Sequence, residues 1–556
     1  MSESKLPLTT TENGALAHST TGDKNLDFFT RGTMRGVSPA DLSKMFRDAW
    51  DENPEMLLQV IRNGRDCRNG KGERTAMFYA LVMLKSHFPK TFSLNLSRFL
   101  EDGKYKDLLE IASIMDSDSI EYNCLKLNSA NVSTDDLMLV LAYQLIVDKT
   151  MLDRDSVSKV SLAAKWAPSQ QGKYDVYAKR IAKFIMTNSE LCEYIPGWEQ
   201  KRQKLQMDYK VPADSSENHI QKFLKIYRKE FLVPLRAHIK IVETLMSNRQ
   251  WDQINYEQVP AKAMSIYKKA FGRRDDERFA EYVKQLSAGE KKVNSSGMAP
   301  HELTRKPDEV AFAQFMALVN KSRESGNLKN TIAVSDVSGS MYGIPMEVSV
   351  ALGLFISLVP DESDPFYKKV ITFESNPSFH NITGDTFSEM VASVKSAEWG
   401  GSTNFVGVFK TILNHAIVNK VSEDDMIKKV IVLTDMQFNE AFRGNNPYQE
   451  VQQMYKIAGY KVPSMVFWNL RASKAAFPVA GDTPGTALLS GYSAELLKGV
   501  MENISNPVDV MMNVIEDYEV DIHPDDVGKK MCDASQAESV SVAEYMVESG
   551  LGGLFR

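Results

Sequence analysis

Cysteine is scarce in this chain: its 556 residues hold 4, at Cys67, Cys124, Cys192 and Cys532. They lie far apart and never form a CxxC pair, which excludes a zinc cluster or a disulfide framework and fits a reducing compartment. Long apolar runs are missing as well. No stretch reaches the ~18 residues of a membrane span, and Met1-Ser-Glu-Ser-Lys5 lacks the apolar core of a signal peptide, so no membrane is expected and the expected location is the cytoplasm. An excess of basic charge is also absent. The formal net charge of −6 speaks against a uniform nucleic-acid coat but leaves room for local basic surfaces, because net charge says nothing about placement. Catalytic signatures are lacking too: the 8 histidines are dispersed, with no HExxH, no GxSxG elbow and no Ser/His/Asp grouping. His301 and His415 read as ordinary surface or half-buried residues, and nothing calls for an enzyme.

What is present is a globular composition, 43% hydrophobic and 25% charged, in a chain long enough for two to four domains of roughly 100–200 residues each. Residues 1–24 are rich in Ser, Thr, Asn and Gly without periodic apolar positions, and are expected to form a flexible arm. From Pro39 onward apolar residues recur at helical spacing, predicting helices over 40–50, 55–63, 75–87, 105–115, 135–149, 156–166, 174–187, 217–246 and 256–271. Residues 25–325 are therefore expected to form a helical-repeat domain, HEAT-like and able to close into a ring, although no exact repeat is visible. After Gly326 short β-branched runs alternate with helical stretches. Strands are predicted at 331–335, 369–373, 429–434, 464–469 and 486–490, with helices at 346–359, 385–396, 404–418 and 494–501. Runs apolar at nearly every position imply burial on both faces, so residues 326–518 are expected to be a doubly wound α/β domain. Residues 519–556 look like an appended tail with a last weak helix near 540–548.

In such a sheet, ligands gather beyond the carboxyl ends of the strands. Asp336-Val-Ser338-Gly-Ser340 follows the first predicted strand, Asp435 follows the strand 429–434, and Thr403 sits in the turn Trp399-Gly-Gly-Ser-Thr-Asn404 that opens a helix. Hydroxyls and carboxylates are hard oxygen ligands suited to octahedral Mg²⁺ or Mn²⁺. Ser338, Ser340 and Thr403 would bind directly, Asp336 and Asp435 partly through water, leaving a cation electrophilic enough to take an outside carboxylate or phosphate oxygen. Alone, the Asp-x-Ser-x-Ser stretch is equally a strand-to-helix cap; the Thr and Asp at later strand ends favour the metal. Asp336 is expected in a surface loop. Packing explains Trp399 and Trp468, and turns or caps explain Asp424-Asp425 and Asp275-Asp276.

Asp336–Ser340, Thr403 and Val430-Ile-Val-Leu-Thr-Asp435 resemble a von Willebrand factor A domain with its metal-ion-dependent adhesion site. Leu26-Asp-Phe-Phe29, Arg62-Asn-Gly-Arg-Asp-Cys-Arg-Asn-Gly-Lys-Gly-Glu-Arg74, His87-Phe-Pro-Lys-Thr91, Tyr105-Lys-Asp-Leu-Leu109, Ala164-Lys-Trp-Ala-Pro168, Phe231-Leu-Val-Pro-Leu-Arg236 and Val466-Phe-Trp-Asn-Leu-Arg471 resemble the domain of unknown function 2828 family, over roughly residues 24–515. That family is similar in plan to the Ro autoantigen family, whose TROVE module is a ring of helical repeats joined to a von Willebrand A domain. The resemblance to Ro implies binding of structured non-coding RNA on a basic outer surface.

Two stretches could supply such a surface. Arg62, Arg65, Arg68, Lys71 and Arg74 fall within one Gly- and Asn-rich loop with its adjacent helix ends, expected as a flexible cationic patch for phosphates. A P-loop reading fails there, because Gly64 is one residue too far from Gly70-Lys71 and Gly72 occupies the Ser/Thr position. Lys222, Lys225, Lys229, Arg236 and Lys240 lie near one side of a helix interrupted at Pro234. Lys268, Lys269, Arg273 and Arg274 follow near Tyr267 and Phe271, which could stack on bases. Plain solvation of charged faces is the competing explanation. The expected function is a non-enzymatic, Ro-like ribonucleoprotein component that uses the helical surface for RNA and the Mg²⁺ site for an acidic protein ligand or phosphate, without DNA specificity. The alternative is a structural or assembly protein, such as a virion or scaffold component, using the adhesion site for protein contacts. A metal-dependent hydrolase is disfavoured because no general base is evident near the cation.

Overall fold

The computed structural model describes residues 6–12, 14–117, 133–155, 159–211, 219–326, 328–336, 338–373, 377–397, 404–438, 447–472, 476–501 and 504–531. The chain divides into two compact units that interleave in sequence: Met1–Met77 with Asn255–Glu519, and Phe78–Ile254 with Val520–Arg556. The division departs from the boundary expected at residue 325. The first helices and the stretch after residue 255 belong with the sheet, because their apolar faces pack there.

The first unit is built on a six-stranded sheet. Its strands are β3 (Thr331–Ser335), β4 (Lys369–Thr372), β5 (Phe379–Asn381), β6 (Lys429–Thr434), β7 (Ser464–Asn469) and β8 (Thr486–Ser490), in the order β5-β4-β3-β6-β7-β8. All pairings are parallel except the edge pair β4–β5. Every residue of β3 and β8 is buried, as expected of a parallel sheet covered on both faces. The five predicted strands are present within a residue; β5, only three residues long, carried no alternation to find. The helix Ile344–Leu358 is apolar nearly all round and buried along its length from Val348. Gly353 lets it lie against β3, since a Cβ there would stand 2.5 Å from Ser335 Oγ.

Two further strands, β1 (Leu8–Thr10) and β2 (Leu16–His18), form an antiparallel hairpin, so much of the stretch expected as a flexible arm is ordered. His18 exchanges backbone hydrogen bonds with Phe477 at 2.9 and 2.7 Å, Thr11 Oγ1 donates to Phe438 O at 2.8 Å, and Ala15 and Ala17 are buried. A polar composition hides such a segment because its stability comes from distant partners. The helices Pro39–Glu52 and Pro54–Arg65 begin with the expected local chemistry. Ser38 and Asn53 accept from Asp41 N and Met56 N, both at 3.1 Å, with proline at the first helical position.

The second unit is helical. Its core is Asp135–Arg154, a 20-residue helix contacted by Lys106–Met115, Ala163–Trp166, Asp175–Thr187 and Val233–His238. Of the predicted helix 156–166 only Ala163–Trp166 is helical among the described residues. The predicted 217–246 is broken into Ile220–Ile226, a π-helical segment Tyr227–Leu232, Val233–His238 and Val242–Ser247. Pro234 accounts for the π segment, since its ring crowds the carbonyl four residues back and it has no N–H to give, and a wider turn relieves both. The tail expected to be merely appended is anchored as far as it is described: Asp526 Oδ2 accepts from Thr91 Oγ1 at 2.8 Å, Asn95 Nδ2 donates to Asp521 O at 2.7 Å, and Arg98 pairs with Asp521 at 2.5 Å. Cys124, Cys532 and the weak helix 540–548 lie outside the described residues, whereas Cys67 and Cys192 are half-buried thiols outside any disulfide. No helix among the described residues is long and apolar enough to cross a membrane.

Candidate metal centre

The strand order reverses between β3 and β6, and that switch point is where an open α/β sheet leaves a crevice beyond its carboxyl edge. Ser335 of β3 is paired with Leu433 of β6, so the next residues, Asp336 and then Thr434-Asp435, leave the sheet side by side. Asp336 N donates to Leu433 O at 2.9 Å. Each oxygen of its carboxylate takes one donor, Ser338 N at 2.9 Å on Oδ1 and Thr434 Oγ1 at 2.7 Å on Oδ2, which leaves lone pairs on both. Ser338 Oγ and Ser340 Oγ lie 3.0 Å apart, so the two hydroxyls face one point. Asp435 Oδ1 accepts from Gln437 N at 3.2 Å. Between them Met436 holds a left-handed φ of 65°, a conformation that costs a non-glycine residue about 1 kcal/mol or more and tends to persist at sites that need it.

Both carboxylates are buried, Asp336 at 0% and Asp435 at 1% exposure, which corrects the surface loop expected for Asp336. Burial pushes the Asp336 carboxyl above its ordinary range, hydrogen bonds from Ser338 and Thr434 oppose the shift, and the neighbouring Asp435 charge adds to it. Two buried acids on adjacent strand ends repel each other, and a divalent cation is the simplest charge that makes both ionised forms favourable. The donor set of Asp336, Ser338, Ser340 and Asp435 fits a hard cation. Thr403 and Trp399 lie outside the described residues. Among the described residues no group of three or more His, Cys, Asp or Glu is gathered for a metal, so a cation here would need the hydroxyls as ligands.

Sequence reasoning gave no role to Thr434, which orients Asp336, or to Arg471, whose guanidinium donates to Ser340 O. Arg471 is exposed, and its backbone N–H donates to Asn469 Oδ1 at 3.1 Å. The available signal was its position just past β7, on the same carboxyl edge. Trp468 is fully buried, with Nε1 on Gly491 O at 2.8 Å, and packing explains it as expected.

The basic stretches fare differently. Arg62, Arg65 and Lys71 are buried, and only Arg68 and Arg74 of that set are exposed. Arg62 donates to Glu519 O at 2.6 Å and lies 5.3 Å from the Tyr518 ring centre. The loop folds back on its own helix: Lys71 N, Gly72 N and Glu73 N reach Asn63 O, Asp66 O and Gly64 O at 3.0, 3.0 and 2.8 Å. A Cβ at Gly70 would sit 2.1 Å from Asn63 O, so that glycine serves chain reversal and not approach to phosphate. The flexible cationic patch expected here is thereby corrected to a buried strut. Lys222, Lys225, Lys229 and Lys240 are exposed in the helical unit, while Arg236 is half-buried and donates to Ala164 O, Ala167 O and Ser169 Oγ at 2.8, 2.8 and 3.0 Å. Lys269, Arg273 and Arg274 are exposed in the other unit, and Lys268 pairs with Asp308 at 2.5 Å. Phe271 is fully buried and cannot stack on a base; Tyr267 is half-buried. His301, expected at or near the surface, is 2% exposed, and His415 is exposed as expected.

The class that these observations define is an open, mostly parallel α/β unit with carboxylates and hydroxyls gathered at its switch point, in a chain that also carries a helical unit. The family model described as "Domain of unknown function (DUF2828)" matches residues 11–137 and 135–336, and that described as "Domain of unknown function (DUF7788)" matches residues 330–543. "Uncharacterized protein L728" of Acanthamoeba polyphaga mimivirus is 32% identical over 544 residues, covering 92% of this chain and 88% of that protein. The chain belongs to the DUF2828 family.

Proposed function

We propose that this protein is a non-enzymatic, cation-dependent binding protein whose sheet-bearing unit is of the von Willebrand A type. Asp336, Ser338, Ser340, Thr403 and Asp435 would hold Mg²⁺ or Mn²⁺ and leave a coordination position for an oxygen of an acidic protein ligand or a phosphate. The observation that carries this reading is the pair of buried carboxylates, Asp336 and Asp435, on adjacent strand ends beside two convergent hydroxyls. The bound cation would supply a Lewis-acidic point of attachment. Asp336 and Asp435 supply charge, Thr434 fixes the Asp336 carboxylate, and Arg471 sets a positive group beside the loop, where it favours an anionic partner.

The helical unit gives the second part of the proposal, a HEAT-like, Ro-like surface for structured RNA, supported by the exposed Lys222, Lys225, Lys229 and Lys240. The burial of Arg62, Arg65 and Lys71 removes part of the cationic surface, and to that extent favours the alternative, a cytoplasmic or virion-associated assembly component. Titration of Mn²⁺ into the full chain, followed by its paramagnetic resonance signal, tests the metal centre. Stoichiometric binding lost in Asp435→Asn is the expected result, and no binding in the intact chain would overturn it. A filter-binding titration with a structured RNA across salt tests the other half. Binding that weakens in a Lys222/Lys225/Lys229→Gln variant supports RNA handling, and no binding at low salt leaves assembly as the function.

A further inference from the structure

A groove in the helical unit lies beside the same helical stretch and shares Arg236 with the basic set read from the sequence, and it does not rest on the metal reading. This open groove of about 680 Å³ is lined along one side by the pairs Tyr227/Arg228, Leu232/Val233 and Arg236/Ala237. The first step between pairs is five residues and the second is four. On a regular α-helix residues eight apart stand about 80° apart around the axis; the π segment Tyr227–Leu232 widens one turn and narrows that angle, and Arg228 and Arg236 both line the groove. Single π turns inside helices recur at functional sites.

The lining chemistry is one-sided. Among the described residues that line the groove there is no carboxylate, while Gln170, Gln171 and Asn248 add side-chain amides to the two guanidinium groups. Arg228 is exposed and makes no hydrogen bond or ion pair among the described residues. Arg236 uses three donors on Ala164 O, Ala167 O and Ser169 Oγ, which fixes its plane and leaves two of the five N–H groups of a guanidinium. A pre-positioned guanidinium beside a free one, with no competing acid, matches a phosphate, which takes paired N–H donors. The volume exceeds what a phosphate alone fills and falls within the range of small-ligand sites, and amides offer both donors and acceptors, as the edge of a base requires.

We infer that this groove binds a nucleoside phosphate, with Arg228 and Arg236 on the phosphate and the amides of Gln170, Gln171 and Asn248 on the base or sugar. The ligand is either a free nucleotide or one residue of a single strand, and the shared chemistry is the same.

The test uses the full chain with two probes, fluorescently labelled AMP and a labelled ten-residue oligouridylate, followed by anisotropy at low salt. Arg228→Ala removes an exposed, unpartnered side chain, and Asn248→Asp sets a carboxylate in the groove with almost no change of shape. Each is expected to weaken binding by roughly tenfold or more, the size of a lost charge-assisted hydrogen bond, while Lys204→Ala, on another exposed helix face, leaves it within about twofold. Binding of AMP alone identifies a free nucleotide as the ligand, and tighter binding of the oligomer identifies a strand. Absence of binding by both probes, or binding unchanged in both Arg228→Ala and Asn248→Asp, overturns the assignment. Loss of Mn²⁺ binding in Asp435→Asn has no bearing on it.

Discussion

The ammonium of Lys71 lies 2.9 Å from Ser490 Oγ, joining a loop near the start of the chain to the last residue of β8. It also donates to Thr33 Oγ1 at 2.8 Å and to Phe29 O, and lies 3.6 Å from the Phe29 ring centre. Burial drives its pKa well down, and the nearby Glu73 carboxylate works against that shift. Glu73 is itself pushed up by burial and held back by Arg35, Lys71 and Arg65.

Lys71→Ala is accordingly a stability mutation. Removing the donor leaves two hydroxyls, a carbonyl and a buried acid without it, and should lower unfolding free energy by about 2–4 kcal/mol. Urea denaturation reads this directly. RNA binding that fell while stability stayed unchanged would return Lys71 to the ligand surface.

His301 should make stability sensitive to mild acid. Its ring meets Tyr492 edge-on at 5.3 Å, and Nδ1 is buried without a hydrogen-bond partner among the described residues. Burial lowers its pKa from 6.5 to about 4, with Glu302 and Glu347 opposing and Arg305 and Arg35 assisting. A folded-state value below the unfolded one means that the unfolded chain takes up the proton first, so stability is lost as pH falls from about 6.5 to about 4. The loss is at most about 3.5 kcal/mol, at ~1.4 kcal/mol per pH unit. His301→Phe keeps the ring contact and should flatten this part of the stability–pH curve relative to the parent chain.

At the strand ends, Asp336→Asn and Arg471→Ala should move cation binding in opposite directions. The first removes a charge and a ligand, and should abolish Mn²⁺ binding while relieving repulsion with Asp435, so that stability without metal stays within about 1 kcal/mol. The second removes a positive charge beside the loop and should raise Mn²⁺ affinity several-fold at low salt, with the gain shrinking at about 1 M salt. Calorimetric titration at two salt concentrations measures both. Asp336→Ala, by contrast, leaves the Thr434 hydroxyl and Ser338 amide unmatched in a buried place, at a cost of about 1–3 kcal/mol.

The tail should behave as part of the helical unit. Asp526→Ala removes the acceptor that Thr91 uses through both N and Oγ1, at 3.3 and 2.8 Å, and should cost about 1–3 kcal/mol. Limited proteolysis should then cut the helical unit sooner than in the parent chain. An unchanged digestion pattern would show the anchor to be dispensable.

Much of the sheet-bearing unit was readable from the sequence. Buried parallel strands are written in contiguous apolar runs, so β3, β4, β6, β7 and β8 appeared within a residue of their bounds, and Asp336 and Asp435 could be assigned to strand ends because a strand's end follows from its run. Thr434 and Arg471 were not readable as site residues, because their roles depend on which strands are neighbours. The hairpin Leu8–His18 was hidden for a related reason: three-residue strands carry almost no periodicity, and Phe438 and Phe477, which hold them, are hundreds of positions away.

The sequence by itself determined the two kinds of secondary structure, the switch between them near Gly326, and the oxygen-rich strand ends, since each is set by residues adjacent in the chain. Tertiary structure decided which cations meet water. Arg62, Arg65 and Lys71 look identical in composition to an RNA-binding loop, yet Phe29, Ser490 and Tyr518 enclose that loop. A charge is buried or solvated according to what packs over it, and those partners are fixed only when distant segments come together.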